Sequence, residues 1–359
     1  MKLQHPNLTS RRYFLRDCGV GLGKIAAAGL LTGAATPRIG AAPADPTNAL
    51  APKRPHFPGK AKAVIHLFMA GAPSQLELFD PKPMLSKLEG KPLPKSVVGD
   101  QRYAFIQPDA AVMGPQFEFA QHGQCGAVLG SPLKHLPEVV DDICLVKSVH
   151  TDQFNHAPAQ IFFNTGFSQP GRPSIGSWAL YGLGAETQDL PSFVVMSTGS
   201  GLSGGSALWS SGFLPTTYTG VRFRNGKDPI LNVSTPDNYH EELQKDTYQL
   251  VNELNAERLD AVGDPEIATR IASYEMASRL QTSAQELMDV SSEPKETLEL
   301  YGCDPDKPSF ARACLLARRM VERGVRFINI YHEGWDAHSN VKGNVEGNCR
   351  TTDQASAAL

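Results

Sequence analysis

The stretch from Phe310 to Asn340 limits the fold more than any other part of the chain. Phe310 to Arg323 places apolar residues at Leu315, Leu316, Met320 and Val321, one face of a helix, and Gly324 follows as a C-terminal cap. Val325-Arg326-Phe327-Ile328-Asn329-Ile330-Tyr331 is rich in β-branched and aromatic residues and predicts a strand. His332-Glu333-Gly334-Trp335-Asp336-Ala337-His338-Ser339-Asn340 is then a polar loop. Helix, glycine, strand and polar loop form the αβ unit of an open α/β sheet, in which ligands bind outside the carboxyl ends of the strands. Two imidazoles and two carboxylates fall there. Zinc and hard divalent metals take such donors, and Asp-x-His on a loop can aim both side chains at one ion. A solvated polar loop with satisfied histidines is the competing reading.

Upstream, similar segments recur. Ala63 to Met69 is a continuous apolar run suited to a parallel strand buried on both faces, and Ala70-Gly71-Ala72-Pro73-Ser74 turns the chain after it. A helix from about Leu129 to Val140 and a strand from Ile143 to Val149 are expected next, followed by a second polar loop, His150 to Gln160. A helix over Ser174–Leu183 leads into a strand over Phe193–Ser197. The Gly/Ser-rich stretch 198–212 is a long loop of the kind that is often functional inside a compact domain. Residues 237–300 are more polar, with Leu243, Leu250, Leu254, Ile267, Ile271 and Tyr274 at helical spacing, and read as a helical insertion divided near Gly263 and Pro265. The fold class is therefore α/β, a mainly parallel sheet flanked by helices.

Composition is that of a globular protein, 359 residues of which 41% are hydrophobic and 20% charged. The first 44 residues hold six basic side chains against Asp17, a net of +5, which leaves −8 on the remainder of a chain whose total is −3. An acidic body argues against a general polyanion binder, so no nucleic-acid partner is expected. The basic start has its own form. Ser10-Arg11-Arg12-Tyr13-Phe14-Leu15-Arg16 precedes a weakly apolar run from Gly19 to Leu31, with small residues for cleavage at Gly33/Ala35 and Ala42/Ala44. This is the twin-arginine export pattern. It assigns residues 1–44 to a signal peptide read by the twin-arginine translocase, 45–60 to a linker, and 61–359 to an exported domain in the periplasm or at the cell surface. The apolar run is short and Gly-interrupted, so no membrane span is expected in the mature chain. Outside the leader Cys125, Cys144, Cys303, Cys314 and Cys349 are odd in number and lack a Cys-x-x-Cys pair, which speaks against a disulfide scaffold. Cys144 and Cys314 fall in apolar runs and read as buried.

Several separate motifs carry a resemblance. Val64–Pro83 (with Gly71-Ala72-Pro73-Ser74 and Phe79-Asp80-Pro81-Lys82-Pro83), His122-Gly123-Gln124-Cys125-Gly126, Val146–Thr151, Gly171–Trp178, and Leu316–Phe327 with its Gly-Trp-Asp-x-His continuation resemble the exported bacterial family catalogued as domain of unknown function 1501. The resemblance covers nearly all of the chain after the leader. It implies a sulfatase-like protein with the fold of the alkaline phosphatase superfamily. It also implies a member truncated at its C-terminus, with an incomplete active site. Sulfatases of that superfamily carry nucleophile-x-Pro-x-Arg at a helix start, with Thr-Gly beginning nine residues after the nucleophile. Here His156-Ala157-Pro158-Ala159-Gln160 is followed by Thr165-Gly166 at that spacing. His156 at the nucleophile position and Gln160 at the arginine position exclude formylglycine chemistry. Superfamily enzymes also place a metal-binding Asp just after the first strand, where this chain has Ala70-Gly71-Ala72, leaving Glu77 or Asp80 as substitutes.

Two functions follow. The first is a metal-dependent hydrolase of sulfate or phosphate esters, with His156 and Asn155 at the reacting group. Asp336, His338 and His332 would hold zinc, calcium or manganese, and the substrate would be an anionic ester such as a sulfated or phosphorylated polymer. The second is an exported binding or surface protein that keeps the fold without the chemistry. Trp178 and Trp335 read as packing anchors, and Arg172 as a member of a loop salt bridge.

Overall fold

The computed structural model describes residues 49–99, 110–199, 202–224, 241–263, 267, 271, 274–276, 280 and 286–359. The chain separates into Met1–Ala44 and Asp45–Leu359. The expected signal peptide thus lies outside the described residues. In chain order the elements are β1 (Val64–Met69), α1 (Gln75–Leu78), α2 (Pro83–Leu88), α3 (Lys95–Val98), β2 (Phe119–His122), β3 (Ala127–Gly130), α4 (His156–Thr165), α5 (Ile175–Leu183), β4 (Phe193–Thr198), β5 (Val221–Phe223), α6 (Glu241–Val262), α7 (Lys295–Tyr301), α8 (Phe310–Glu322), β6 (Phe327–His332) and α9 (Val341–Ala358). Short 3-10 turns fall at Leu136–Asp142, Gly205–Trp209, Thr216–Tyr218 and Val290–Ser292.

The main sheet has four strands in the order β1-β6-β4-β5, all parallel. β6 runs between β1 and β4 with all six residues buried, which is why its sequence is a near-continuous apolar run. Successive residues alternate between the two faces. Phe193, Val195, Phe327 and Tyr331 pack with Ile161 of α4 and Leu180 of α5. Gly176 lets α5 approach, since a Cβ there would lie 2.5 Å from the Phe193 ring. Val194, Met196, Ile328 and Ile330 face the other way, onto Cys314, Leu315, Leu316 and Met320 of α8. Ser309 caps α8 by accepting from the Arg312 N–H at 3.0 Å, and Gly324 follows at φ 86°. Truncating a fully buried α8 leucine such as Leu316 would cost about 2–5 kcal/mol. α9 packs beside α8, and its Val345 and Cys349 join Leu78, Leu129, Val140 and Trp335 in a third apolar cluster. Asp353 of α9 accepts the backbone N–H groups of Lys134, His135 and Leu136 at 2.5, 2.7 and 3.0 Å.

The expected strands at 63–69, 193–197 and 325–331 and the helices at 174–183 and 310–323 are present within a residue or two. Two expectations fail. In place of a helix over Leu129–Val140, Leu129 and Gly130 end the antiparallel β2–β3 hairpin, closed through Gly123 and Gly126, both at φ 66°, and only Leu136–Asp142 is helical, as a 3-10 turn. Gly130 then packs so tightly that a Cβ would sit 2.2 Å from the Glu77 carbonyl. The strand expected at Ile143–Val149 does not form: Ile143, Val146 and Val149 are exposed, as is Cys144. Its apolar composition suits a sheet, but among the described residues no neighbouring strand pairs with it, and propensity without a partner does not hold a strand. Cys314 is buried as expected. Of the helical insertion, α6 is present, with Leu243, Leu250 and Leu254 exposed; residues 237–240 and most of 264–285 lie outside the described residues. Among the described residues no helix is long and apolar enough to cross a membrane.

Candidate functional site

Met69, His332 and Thr198 stand in register at the carboxyl ends of β1, β6 and β4, so the loops that follow them leave the sheet side by side. The loop after β6 is pinned to the loop after β1. Ala70 N–H donates to the His332 carbonyl at 2.7 Å and Trp335 N–H to the Ala70 carbonyl at 3.4 Å. Gly71, at φ 93°, makes this contact possible: a Cβ there would lie 2.4 Å from the Asp336 backbone nitrogen. Gly71 thus has no room for an acidic side chain, because the backbone of Asp336 fills that space. From α9, Asn344 and Asn348 both donate Nδ2–H to the Gly334 carbonyl, at 2.7 and 2.9 Å. Trp335 is buried beneath, and the loop is held at both ends.

This fixation presents Asp336 to the start of α4. One carboxylate oxygen, Oδ2, lies 2.9 Å from His156 Nε2 and 2.7 Å from His338 Nε2. A carboxylate only accepts, so both Nε2 atoms carry a proton in these bonds, and in a neutral ring Nδ1 then keeps the lone pair. The three side chains remain open to solvent, 45% exposed for His156, 42% for Asp336 and 81% for His338. His156 is the first residue of α4. Asn155 is its N-cap with extended backbone, and its side chain makes no capping bond. The first-turn N–H groups of a helix have no partner within the helix and favour an anion.

The sequence placed His156 and Asn155 on one polar loop and Asp336 and His338 on another; the structure brings both imidazoles onto one Asp336 oxygen, with Asn155 adjacent to His156 in the chain. It does not gather them as metal ligands. Both Nε2 atoms are occupied by Asp336, and among the described residues no group of three or more His, Cys, Asp or Glu side chains is placed to hold an ion. The donor types suit a divalent metal; their arrangement does not fit one. His332 stands apart. It faces α8, edge-on to Phe310 at 5.2 Å, with Nδ1 2.8 Å from Thr198 Oγ1. Its Nε2 is buried without a hydrogen-bond partner. Burial pushes its pKa down, with the nearby Asn348 side chain acting in the opposite sense although it is not placed to complete a bond.

The other acids proposed from sequence are engaged elsewhere. Glu77 is buried and accepts the Gln116 N–H at 2.9 Å; Asp80 pairs with Lys82 at 2.5 Å. Gln160, where sulfatases carry arginine, is buried and its Oε1 accepts the Gly204 N–H at 2.9 Å, tying the loop after β4 to α4. Trp335 packs as expected, whereas Trp178 is 44% exposed, edge-on to Tyr181 and Phe213. Arg172 stacks on the Phe167 ring at 4.4 Å, and the expected loop salt bridge is absent among the described residues. Trp209, Arg222 and Glu333 line a cavity beside β4. Sequence reasoning singled out neither Trp209 nor Arg222; the Gly/Ser-rich character of 198–212 was the available signal for Trp209.

The family described as protein of unknown function (DUF1501) matches residues 61–359. No curated protein and no solved structure matches the chain.

Proposed function

The chain belongs to the DUF1501 family, and from that premise we propose that it is an exported sulfatase-like hydrolase of sulfate or phosphate esters. In this reading the parallel sheet is of the alkaline phosphatase kind, and the twin-arginine route delivers the protein to the periplasm or cell surface. The observation that carries the reading is the single Asp336 oxygen shared by His156 and His338 at the start of α4. An anionic ester group would sit against the first turn of α4, where unpaired N–H groups and the helix dipole favour negative charge, with the Asn155 amide beside it. His156, with Nε2–H on Asp336, presents Nδ1 as a base. It takes a proton from a water whose oxygen bonds to sulfur or phosphorus, while the carboxylate fixes the ring and stabilises the imidazolium that forms. The ester bond to the leaving oxygen breaks, and His338, when protonated, supplies a proton to that oxygen.

General acid–base catalysis of this kind contributes about 10²–10⁴-fold. The test is turnover of aryl sulfate and aryl phosphate by the purified full-length protein, with and without added zinc, calcium or manganese. The parent should turn over one of them, and His156→Ala should lower kcat by about 10²–10⁴-fold with an unchanged unfolding midpoint. A parent inactive on both ester classes under every condition would leave the alternative, a binding or surface protein on the same fold.

A further inference from the structure

We infer that the cavity at the carboxyl ends of β4 and β5 binds a neutral sugar ring. The cavity measures about 370 Å³ and is lined by Ser197, Ser206, Trp209, Arg222 and Glu333, among others. That volume falls within the roughly 300–1,000 Å³ of small-molecule sites. Its place in the fold is the one where open α/β sheets hold ligands. The chain leaving β4 turns toward α4, where Leu208 packs with Ile161 and Gly204 bonds to Gln160. The chain leaving β6 turns the other way, into α9 beside α8. The cavity opens between them, at the switch point of the sheet.

Its chemistry narrows the ligand. Arg222 on β5 donates one Nη2–H to Ser197 Oγ at 2.9 Å, which aims the guanidinium and leaves further N–H groups open. Glu333 is fixed through its backbone, with its N–H on the Thr198 carbonyl at 3.1 Å. Gly199 at φ 109° lies against it, where a Cβ would come within 3.0 Å of the Glu333 Cβ. The Glu333 Oε1 is shielded from solvent without a donor, and no ion pair joins Glu333 to Arg222 among the described residues. Among the described residues one acid and one base thus line the same cavity without pairing with each other. A lone anion would meet the carboxylate and a lone cation the guanidinium. A ligand whose groups both donate and accept, and which carries no charge, satisfies both, as the vicinal hydroxyls of a sugar do. Trp209, half-buried and backed by Tyr331 at 6.0 Å between ring centres, supplies the apolar platform for the C–H face of the ring.

Binding of this kind needs no turnover and so stands apart from the hydrolytic reading. The experiment is calorimetric titration of the whole protein with the methyl glycosides of glucose, galactose and mannose, with glucosamine and glucuronate as the cationic and anionic controls, followed in parallel by tryptophan fluorescence. At least one neutral glycoside should bind with a Kd of about 1 mM or tighter and change the fluorescence. Arg222→Ala and Glu333→Ala should each weaken it by about tenfold or more, Trp209→Phe should remove the fluorescence change, and His156→Ala should leave the affinity as it is. Absence of binding by every neutral glycoside, binding confined to a charged sugar, or an affinity indifferent to both Arg222→Ala and Glu333→Ala would overturn the inference. Glycoside binding without ester turnover would retain it and sink the hydrolase.

Discussion

Two polar assemblies meet along β6 and differ in how their hydrogen bonds are placed. Beneath α4, His66 Nδ1 lies 2.8 Å from Asn329 Oδ1, Asn329 Nδ2–H donates to Tyr331 Oη at 2.8 Å, and Tyr331 Oη–H reaches Asn164 Oδ1 and the Leu208 carbonyl at 3.1 and 3.2 Å. Asn164 closes the chain by donating to the Gln160 carbonyl at 2.9 Å. At the end of the same strand, His332 Nε2, Glu333 Oε1 and Trp335 Nε1 are buried without partners. A closed buried network fixes one arrangement of the elements it joins; this one joins β1, β6 and α4 and so fixes where α4 begins. An open set of polar atoms is costly unless something completes it; this one follows the carboxyl end of β6, and of its residues only Glu333 lines the cavity beside β4. The first assembly is closed, whereas the second leaves three buried polar atoms without partners.

Activity and stability respond differently to substitutions in the two assemblies. Asp336→Ala removes the oxygen that both imidazoles share and should lower kcat by about 10²–10⁴-fold. Its unfolding midpoint in denaturant should stay at the parental value, because the side chain is half-exposed; a large stability loss with unchanged kcat would reverse the two roles. Gly71→Ala replaces no residue of the cluster but drives a Cβ, from a positive-φ position, to 2.4 Å from the Asp336 backbone nitrogen and 3.0 Å from its Cβ. A strain of about 1–3 kcal/mol should appear in the denaturant midpoint together with reduced turnover. Parental turnover in that variant would show that the pinning of the two loops does not position Asp336.

Tyr331→Phe acts on the closed assembly alone. It leaves Asn329 Nδ2 and Asn164 Oδ1 short of a partner in the interior and should cost about 1–3 kcal/mol, read from urea unfolding, with the glycoside affinity retained. The smallest effect is one of pH. Burial holds the His66 imidazole below its ordinary value, opposed by the bond to Asn329, and burial lowers His332 likewise. A base depressed in this way binds fewer protons folded than unfolded. Its contribution to stability is complete above the unfolded value near 6.5 and is lost as the pH falls through that value toward the folded one. The melting temperature should therefore drop between pH 7 and pH 5, and less steeply in His66→Phe; equal slopes in the two proteins would remove His66 from the explanation.

Legibility in the sequence followed the locality of the cause. The helix–glycine–strand unit 310–332 was readable because Ser309, Gly324 and the apolar strand act within a few residues of one another. β4 was readable because a parallel strand covered on both faces is apolar throughout; β1 was readable from its apolar run, although it lies at the edge of the sheet with no residue fully buried. Ile143–Val149 has the same composition, yet whether it forms a strand depends on a partner that composition does not reveal. The β2–β3 hairpin turns on two glycines at positive φ, and the neighbouring apolar residues mimic a helix. The histidines and Asp336 were legible as members of two polar loops. That His156 and Asp336, 180 positions apart in the chain, meet at one oxygen is a product of sheet register and of the contact at Gly71. Alternation along β6 turns His332 to the α8 face, which its place in the motif concealed. Arg222 sits on a three-residue strand with no motif around it.

The shared oxygen itself is open to direct measurement. Long-range proton–nitrogen correlation spectra of the nitrogen-15-labelled protein, recorded where the imidazoles are neutral, report which ring nitrogen bears the proton. Both His156 and His338 should be found as Nε2–H tautomers with an unprotonated Nδ1, and Asp336→Asn should abolish that preference in both rings at once. A dominant Nδ1–H tautomer at His156, or a pattern in both rings that Asp336→Asn leaves untouched, would contradict the claim that one carboxylate oxygen organises the site.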